Sequence, residues 1–271
     1  MVRPLLRWAG SKKKLLPKLS EYWTGQGCRY VEPFAGSAAL FLHLQPRTAL
    51  LTDINAELVN CLKRFSLHPK RLHDLFQSFP VSREAYDCLR SLDPRNLSLD
   101  ERAVRFFYLN RYCFNGIYRT NRQGQFNVPY SGDKPGQPPS LAEVIETSAV
   151  LRRAEIDCTD FEDVLRNRVH KGDFVYLDPP YATDARRVFR EYHEASFGWS
   201  DLDRLADAVS LIDSKGAKFV LSYAYCPEAL KRFSQWNVQK VYSFRNVSGF
   251  ASARKRAAEI IATNLFIDTK C

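Results

Sequence analysis

An α/β fold built on nucleotide-binding βαβ units is predicted by three features of this 271-residue sequence. Tyr30-Val31-Glu32-Pro33-Phe34-Ala35-Gly36-Ser37 reads as a short strand, a small-residue turn and the start of a helix that continues through Ala38-Ala39-Leu40-Phe41-Leu42. Such a turn exposes backbone N–H groups at a helix N-terminus and lets a ligand approach closely. A second strand over residues 48–52 ends at Asp53, about twenty residues after the first, where nucleotide-binding units carry an acid for the ribose hydroxyls. The apolar run Phe174-Val175-Tyr176-Leu177 reads as a third strand, and Asp178-Pro179-Pro180-Tyr181 follows it at once.

Near the amino terminus, Arg7-Trp8-Ala9-Gly10-Ser11-Lys12 precedes a predicted amphipathic helix over residues 15–22. Asp53 has two readings, a ribose acceptor or a cap for the helix beginning Asn55-Ala56-Glu57-Leu58. Leu72, Leu75, Phe76 and Phe79 keep helical spacing, and Ser82 can cap a helix carrying Tyr86 and Leu89. Ser98-Leu99-Asp100-Glu101 makes a capping box before Val104, Phe107 and Tyr108. Residues 117–120 and 125–128 flank Asn121-Arg122-Gln123-Gly124 as a hairpin, and residues 132–139 form a Gly- and Pro-rich return loop. The strand-like Ala154-Glu155-Ile156-Asp157-Cys158 leads to Asp160-Phe161, where Asp160 either caps a helix over 161–166 or presents its carboxylate to a ligand. Strands over 218–223, 237–244 and 259–265 complete the sheet.

The Asp178-Pro179-Pro180-Tyr181 segment carries the chemistry. The N6 lone pair of adenine is delocalised into the ring, so the amine is a poor nucleophile until acceptors hold its two N–H bonds. Asp178 and the Pro179 carbonyl supply such acceptors, because proline fixes φ and adds no competing donor. Tyr181 can cover the base face, worth ~1–3 kcal/mol in base–aromatic stacks. A strand ending in a plain Asp-Pro turn is the alternative.

The net charge of +10 favours a polyanionic partner. Residues 102–132 contain no acid, while Arg102, Arg105, Arg111, Arg119 and Arg122 lie among Phe106, Tyr108, Tyr112, Phe114, Tyr118 and Phe126. This segment reads as a nucleic-acid surface, or else as an amphipathic helix with a solvated arginine face followed by a hairpin. Lys63, Arg64, Lys70 and Arg71 are phosphate contacts or solvated faces, and the Ser252-Ala253-Arg254-Lys255-Arg256 run either lies against a nucleic-acid backbone or is an exposed loop before the strand over 259–265. No apolar stretch is long enough to span a bilayer, and the basic amino terminus runs into a charged helix, so a soluble, cytoplasmic protein is expected. Seven cysteines show no Cys-x-x-Cys spacing and five histidines form no ligand pattern with them, so reduced thiols and no metal are expected.

Through Arg7 to Lys12, Glu32 to Gly36, Thr52-Asp53-Ile54-Asn55, Asn110-Arg111-Tyr112-Cys113-Phe114-Asn115-Gly116, Gln125-Phe126-Asn127-Val128-Pro129 and Asp178 to Tyr181, in that order, the sequence resembles the Dam-type (D12 class) DNA N6-adenine methyltransferases. The resemblance covers nearly the whole chain. It implies a class I S-adenosylmethionine-dependent methyltransferase fold, with a Rossmann-like seven-stranded sheet that includes one antiparallel strand. Residues 1–55 and 142–271 would form the catalytic domain, and 56–141 an inserted helical and β-hairpin target-recognition region. The implied reaction moves a methyl group from S-adenosylmethionine to an adenine flipped out of duplex DNA, within GATC or a related site; a monomer is expected, with an oligomer left open. Cofactor-binding positions are Trp8, Lys12, Phe34, Gly36, Asp53, Asp160, Phe161 and Asp178; Asp178, Pro179 and Tyr181 are catalytic. Arg119 occupies the guanine-reading position, Asn115 and Ile117 lie near the disrupted base pair, Arg7 is a candidate for the outer guanine, and Arg122 is a further DNA contact. The chain departs from the pattern at Arg7, where lysine is common, and at Ser11 and Ala38, where glycines are common. Alanine does not easily take φ > 0, so the geometry of the first loop is in question. Two rivals are an RNA or protein amide methyltransferase, against which the basic hairpin argues, and an inactive DNA-binding protein, against which Asp178 and Tyr181 argue.

Overall fold

The computed structural model describes residues 2–10, 12–25, 27–121, 123–132, 136–182, 197–246 and 254–265, with the backbone alone for 243–246 and 254–257. Three apolar runs become central strands: β1 (Tyr30–Glu32), β2 (Ala49–Asp53) and β4 (Phe174–Leu177). A strand covered on both faces needs no polar alternation, and burial is continuous along these three strands except at Asp53, which ends β2. β3 (Ala154–Cys158) lies at the edge, and of its five residues only Ile156 is buried. β5 (Lys218–Ala224), β6 (Asn237–Asn246) and β7 (Arg254–Thr263) follow.

Among the described residues the strands form one seven-stranded sheet in the order β3-β2-β1-β4-β5-β7-β6. All neighbours are parallel except β7, which runs antiparallel to both β5 and β6. A seven-stranded sheet with one antiparallel strand is the arrangement the resemblance implies. Val31 stands opposite both Leu50 and Val175. The chain leaves β1 for β2 on one side, and β4 closes on the other, so a crevice opens at the carboxyl ends of β1 and β4.

The two faces of the sheet bury separate cores, as the period of two along each strand requires. Val31, Leu50, Val175, Leu177 and Phe219 pack under α9 (Trp199–Ser214) and α10 (Pro227–Phe233). Tyr30, Phe174, Tyr176 and Val220 point the other way. They share one cluster with α1 (Leu16–Ser20), α2 (Ala39–Leu44), α3 (Ala56–Leu67), α4 (Pro69–Gln77), α5 (Arg83–Ser91), α6 (Leu99–Tyr112) and α7 (Leu141–Leu151). The region 56–141 therefore packs its apolar side chains into the same core as β1 and β4.

Local signals in the sequence set most helix starts. Ser82 accepts from the Ala85 N–H, and Ser98 and Glu101 form both halves of their capping box. Of the two readings of Asp53, the capping one is excluded: Asn55 caps α3, accepting from the N–H groups of Glu57 and Leu58, while Asp53 accepts from the Asn55 N–H. The predicted hairpin is also looser than a ladder, with single bridges at Thr120/Phe126 and Cys113/Tyr130 and a turn closed by Asn121 N–H to the Gln125 carbonyl at 2.8 Å.

The basic, aromatic segment is mostly structural. Phe106, Phe107, Tyr108 and Tyr112 are buried. Arg105, 5% exposed, donates to the Leu89 and Arg90 carbonyls at 2.7 and 3.0 Å, which satisfies orphan groups of the last turn of α5. Arg102 pairs with Glu57, and Arg64 and Arg71 both pair with Asp100. Guanidinium groups in this region thus close helix ends and tie α3 and α4 to α6, so their number overstates the surface offered to a polyanion. No helix among the described residues is long and apolar enough to cross a membrane.

The buried Asn110 of α6 fastens the amino-terminal segment to this region. Its Oδ1 accepts the Arg7 N–H at 2.8 Å and its Nδ2 donates to the Arg7 carbonyl at 2.6 Å. Asn110→Ala leaves both backbone groups unsatisfied and is expected to lower unfolding stability by about 2–3 kcal/mol. Urea denaturation measures this as a lower midpoint at unchanged slope, and a loss under about 0.5 kcal/mol would refute the clamp.

Candidate active site

A cavity of about 660 Å³ opens at the carboxyl ends of β1, β2 and β4, within the usual range for a small-molecule pocket. It is lined by every sequence-predicted cofactor and catalytic residue: Trp8, Lys12, Phe34, Gly36, Asp53, Asp160, Phe161, Asp178, Pro179 and Tyr181.

The loop after β1 forms one wall. Gly36 has φ +48°, and a Cβ there would stand 2.7 Å from Trp8 Cδ1, so glycine is required both by conformation and by the indole. Its N–H donates to Asp53 Oδ2 at 3.0 Å, while Oδ1 accepts from Asn55 at 3.0 Å. Burial raises the Asp53 pKa, and the N–H groups of Asn55 and Gly36 oppose that. Asp53 therefore fixes the loop as well as lining the cavity. Ala38 keeps the left-handed conformation, φ +53°, despite carrying a Cβ. A Cβ in that conformation costs ~1–2 kcal/mol.

One end of the cavity is aromatic. Phe34 stacks on Phe161 at 5.1 Å and 29°, and Phe197 meets Phe34 edge-on at 6.1 Å. Asp160 caps α8 (Phe161–Asp163) through the Glu162 N–H at 2.9 Å and also lines the cavity. Arg204 of α9 reaches Asp160 Oδ1 at 2.7 Å. Ile54, 65% exposed, lines the cavity beside Asp53. These surfaces suit a purine and its ribose: flat apolar walls with carboxylates at the edge.

The other end holds charge. Asp178 follows β4, and its Oδ1 accepts from Lys12 Nζ at 2.7 Å and Ser222 Oγ at 3.1 Å. Ser222, on β5, also pairs with the Tyr176 hydroxyl at 3.1 Å. Lys12 Nζ lies 3.2 Å from the Tyr181 hydroxyl and 3.9 Å from Glu259 Oε2. Burial alone would lower the Lys12 pKa, but Asp178, Tyr181 and Glu259 hold it above the ordinary lysine value. Burial raises the Asp178 pKa, against the pull of Lys12 and Ser222. Glu32, buried and accepting from the Tyr30 hydroxyl at 3.0 Å, is pushed well above the carboxylate range by burial. Tyr181 is half-buried, its ring 5.2 Å from Tyr223 at 89°. Among the described residues, neither Asp178 Oδ2 nor the Pro179 carbonyl accepts a hydrogen bond. Two anchored acceptors beside an aromatic ring can orient an amine.

Arg7, Asn115, Ile117 and Arg119 lie outside the cavity lining. Arg7 donates to the Arg111 carbonyl at 3.2 Å, and a Cβ on Gly116 would meet its Cβ at 2.6 Å, so Arg7 packs on the Asn115-Gly116 turn. Asn115 is exposed at φ +56°, next to Phe114, which is 48% exposed. Arg119 Nε donates to Asn127 Oδ1 at 2.8 Å. Trp8 joins this surface to the cavity by stacking on Tyr118 at 5.9 Å and 23°. Arg122 and Ser11 lie outside the described residues.

Sequence reasoning missed Ser222, Phe197, Arg204 and Ile54 as site residues. Of these Ile54 alone had a local signal, being an isoleucine directly after the candidate acid.

A family model described as D12 class N6 adenine-specific DNA methyltransferase matches residues 8–247. The chain is 35% identical to Type II methyltransferase M1.LlaDCHI of Lactococcus lactis subsp. cremoris, over 97% of this chain and 95% of that protein. It is 30% identical to Type II methyltransferase M.MjaIII of Methanocaldococcus jannaschii, over 94% and 96% respectively. It is 31% identical to the DNA adenine methylase of Salmonella typhi, over 96% and 94%.

Proposed function

Because the chain belongs to the D12 class N6 adenine-specific DNA methyltransferases, we propose that it transfers a methyl group from S-adenosylmethionine to N6 of an adenine flipped out of duplex DNA, within GATC or a related site. The observation that carries this reading is the acceptor pair at the cavity floor. Asp178 is anchored through Oδ1 by Lys12 and Ser222, with Oδ2 and the Pro179 carbonyl left to take two N–H bonds.

The residues present fit the cofactor. Asp53 and the Gly36 loop would hold the ribose side, and Asp160 with Phe34 and Phe161 the adenine. When bound, S-adenosylmethionine supplies a methyl group already activated for displacement. The chain's own work is alignment. Asp178 and Pro179 draw the N6 lone pair out of conjugation and stabilise the positive charge that develops on nitrogen. Lys12 favours the ionised form of Asp178 in a buried site, and Asp178 here acts as acceptor and counter-charge while the N6 proton leaves after transfer. Tyr181, tethered by Lys12 and buttressed by Tyr223, covers the base. Extrusion of an adenine costs a few kcal/mol, which contacts from the region 56–141 offset. In that region Arg119, steadied by Asn127, is the reader of a guanine edge, and Arg7, Asn115 and Ile117 flank it; Arg122 belongs to the same proposal by sequence.

The direct test incubates the purified protein with labelled S-adenosylmethionine and plasmid DNA, then maps modified bases. Asp178→Ala is expected to slow transfer by at least ~10²–10³-fold at saturating cofactor while DNA affinity stays within about threefold. Near-normal turnover in that variant would remove Asp178 from the mechanism.

Arg119→Ala is expected to lose discrimination at one guanine position by about 5- to 150-fold, the ~1–3 kcal/mol of a bidentate arginine–guanine pair. Methylation of substrates with single-base changes reads this. A uniform loss across all substrates would make Arg119 a backbone contact instead.

A further inference from the structure

Arg204 lies at the aromatic end of the cavity, in a setting unlike an ordinary helix-surface arginine. Its Nη2 donates to Asp160 Oδ1 at 2.7 Å, its Nε to Glu162 Oε2 at 2.6 Å and its Nη1 to Asp201 Oδ1 at 2.8 Å. The guanidinium also lies 4.9 Å from the Phe161 ring centre. A planar fork bonded to three carboxylates has little rotational freedom, and it restrains them in return.

The consequence falls on Asp160. Its Oδ1 accepts both from Arg204 and from the Glu162 N–H at 2.9 Å. Among the described residues, no hydrogen bond falls on Oδ2. Both anchors sit on one oxygen, so the carboxylate is fixed in rotation with the other oxygen available. Without the guanidinium, Glu162 and Asp201 would repel Asp160 at close range, and Phe161 would lose the cation over its ring.

We propose that Arg204 is a positioning residue for purine recognition: it holds Asp160 through Oδ1 so that Oδ2 accepts the 6-amino group of the cofactor's adenine, selecting a 6-amino over a 6-oxo purine. A 6-oxo purine turns a carbonyl oxygen toward that carboxylate, two acceptors with no proton between them. The proposal rests on the cofactor reading above.

Calorimetric titration with S-adenosylhomocysteine and its 6-oxo analogue, S-inosylhomocysteine, tests it without turnover. The wild-type protein is expected to prefer the adenosine form by at least 30-fold. Arg204→Met is expected to reduce that preference at least tenfold, through weaker binding of the adenosine form, with the inosine form changed less than threefold. Asp160→Ala is expected to do the same, and the double variant to be no worse than Asp160→Ala alone, since the two act as one unit. Arg204→Lys, which keeps the charge but not the fork, is expected to lose preference at least threefold and guards against a Met variant that fails to fold. Equal weakening of both ligands, or an unchanged preference, overturns the proposal. Wild-type binding without purine discrimination overturns it and leaves the cofactor reading standing, whereas binding of neither ligand overturns both.

Discussion

The ion pair between Lys12 and Asp178 is the constraint around which the rest of the site is arranged. Lys12 is 8% and Asp178 18% exposed, so two charges stand largely outside water. Removing a charge from water costs several kcal/mol even after relaxation, and the partner offsets this only when geometry and further hydrogen bonds are good. Here Ser222 bonds the carboxylate and Tyr181 the ammonium. Asp178 and Ser222 come from the adjacent parallel strands β4 and β5, a rigid base. Lys12 comes from a segment with no strand or helix of its own, and that segment needs other supports.

Those supports come from the region 56–141. Asn110 clamps the backbone at Arg7, and Trp8 is caught between the Gly36 loop and Tyr118. The surface that holds Asn115 and Arg119 and the cavity that holds Asp178 thus share a short stretch of chain. The two ends of the cavity also follow one principle. Asp178 and Asp160 are each anchored by a cation and a second donor on Oδ1, which leaves Oδ2 for a ligand. An acceptor oriented before the ligand arrives loses little in reorganisation when charge develops.

The parts of this arrangement legible in the sequence are those set by neighbours in the chain. β1, β2 and β4 are visible as apolar runs, and the capping boxes as local spacing. The Gly36 turn, Asp53 and the Asp178 segment are visible because strand, turn and acid are contiguous. Asp53 shows the limit of such reasoning: the sequence leaves it between a ribose acceptor and a helix cap, and only the folded loop, in which Asp53 accepts from the Gly36 N–H while Asn55 caps, removes the second. The arginines of α6 show another, since sequence reports charge but not whether a guanidinium meets a carbonyl or solvent. Ser222, Phe197 and Arg204 reach the site only through long-range packing. A serine in a strand and an arginine in a helix carry no mark of it.

The most direct measurement of the central claim is the pH dependence of single-turnover methyl transfer in Lys12→Met against the wild-type protein, at saturating cofactor and DNA. On the proposed mechanism transfer requires the ionised form of Asp178, whose pKa burial raises while Lys12 holds it down. Protonation therefore removes activity as pH falls through that pKa. Loss of the ammonium is expected to move the acid limb of the rate profile at least about one unit toward higher pH, the equivalent of ~1.4 kcal/mol of lost charge stabilisation. An acid limb that stays where it is in the wild-type protein would contradict the account.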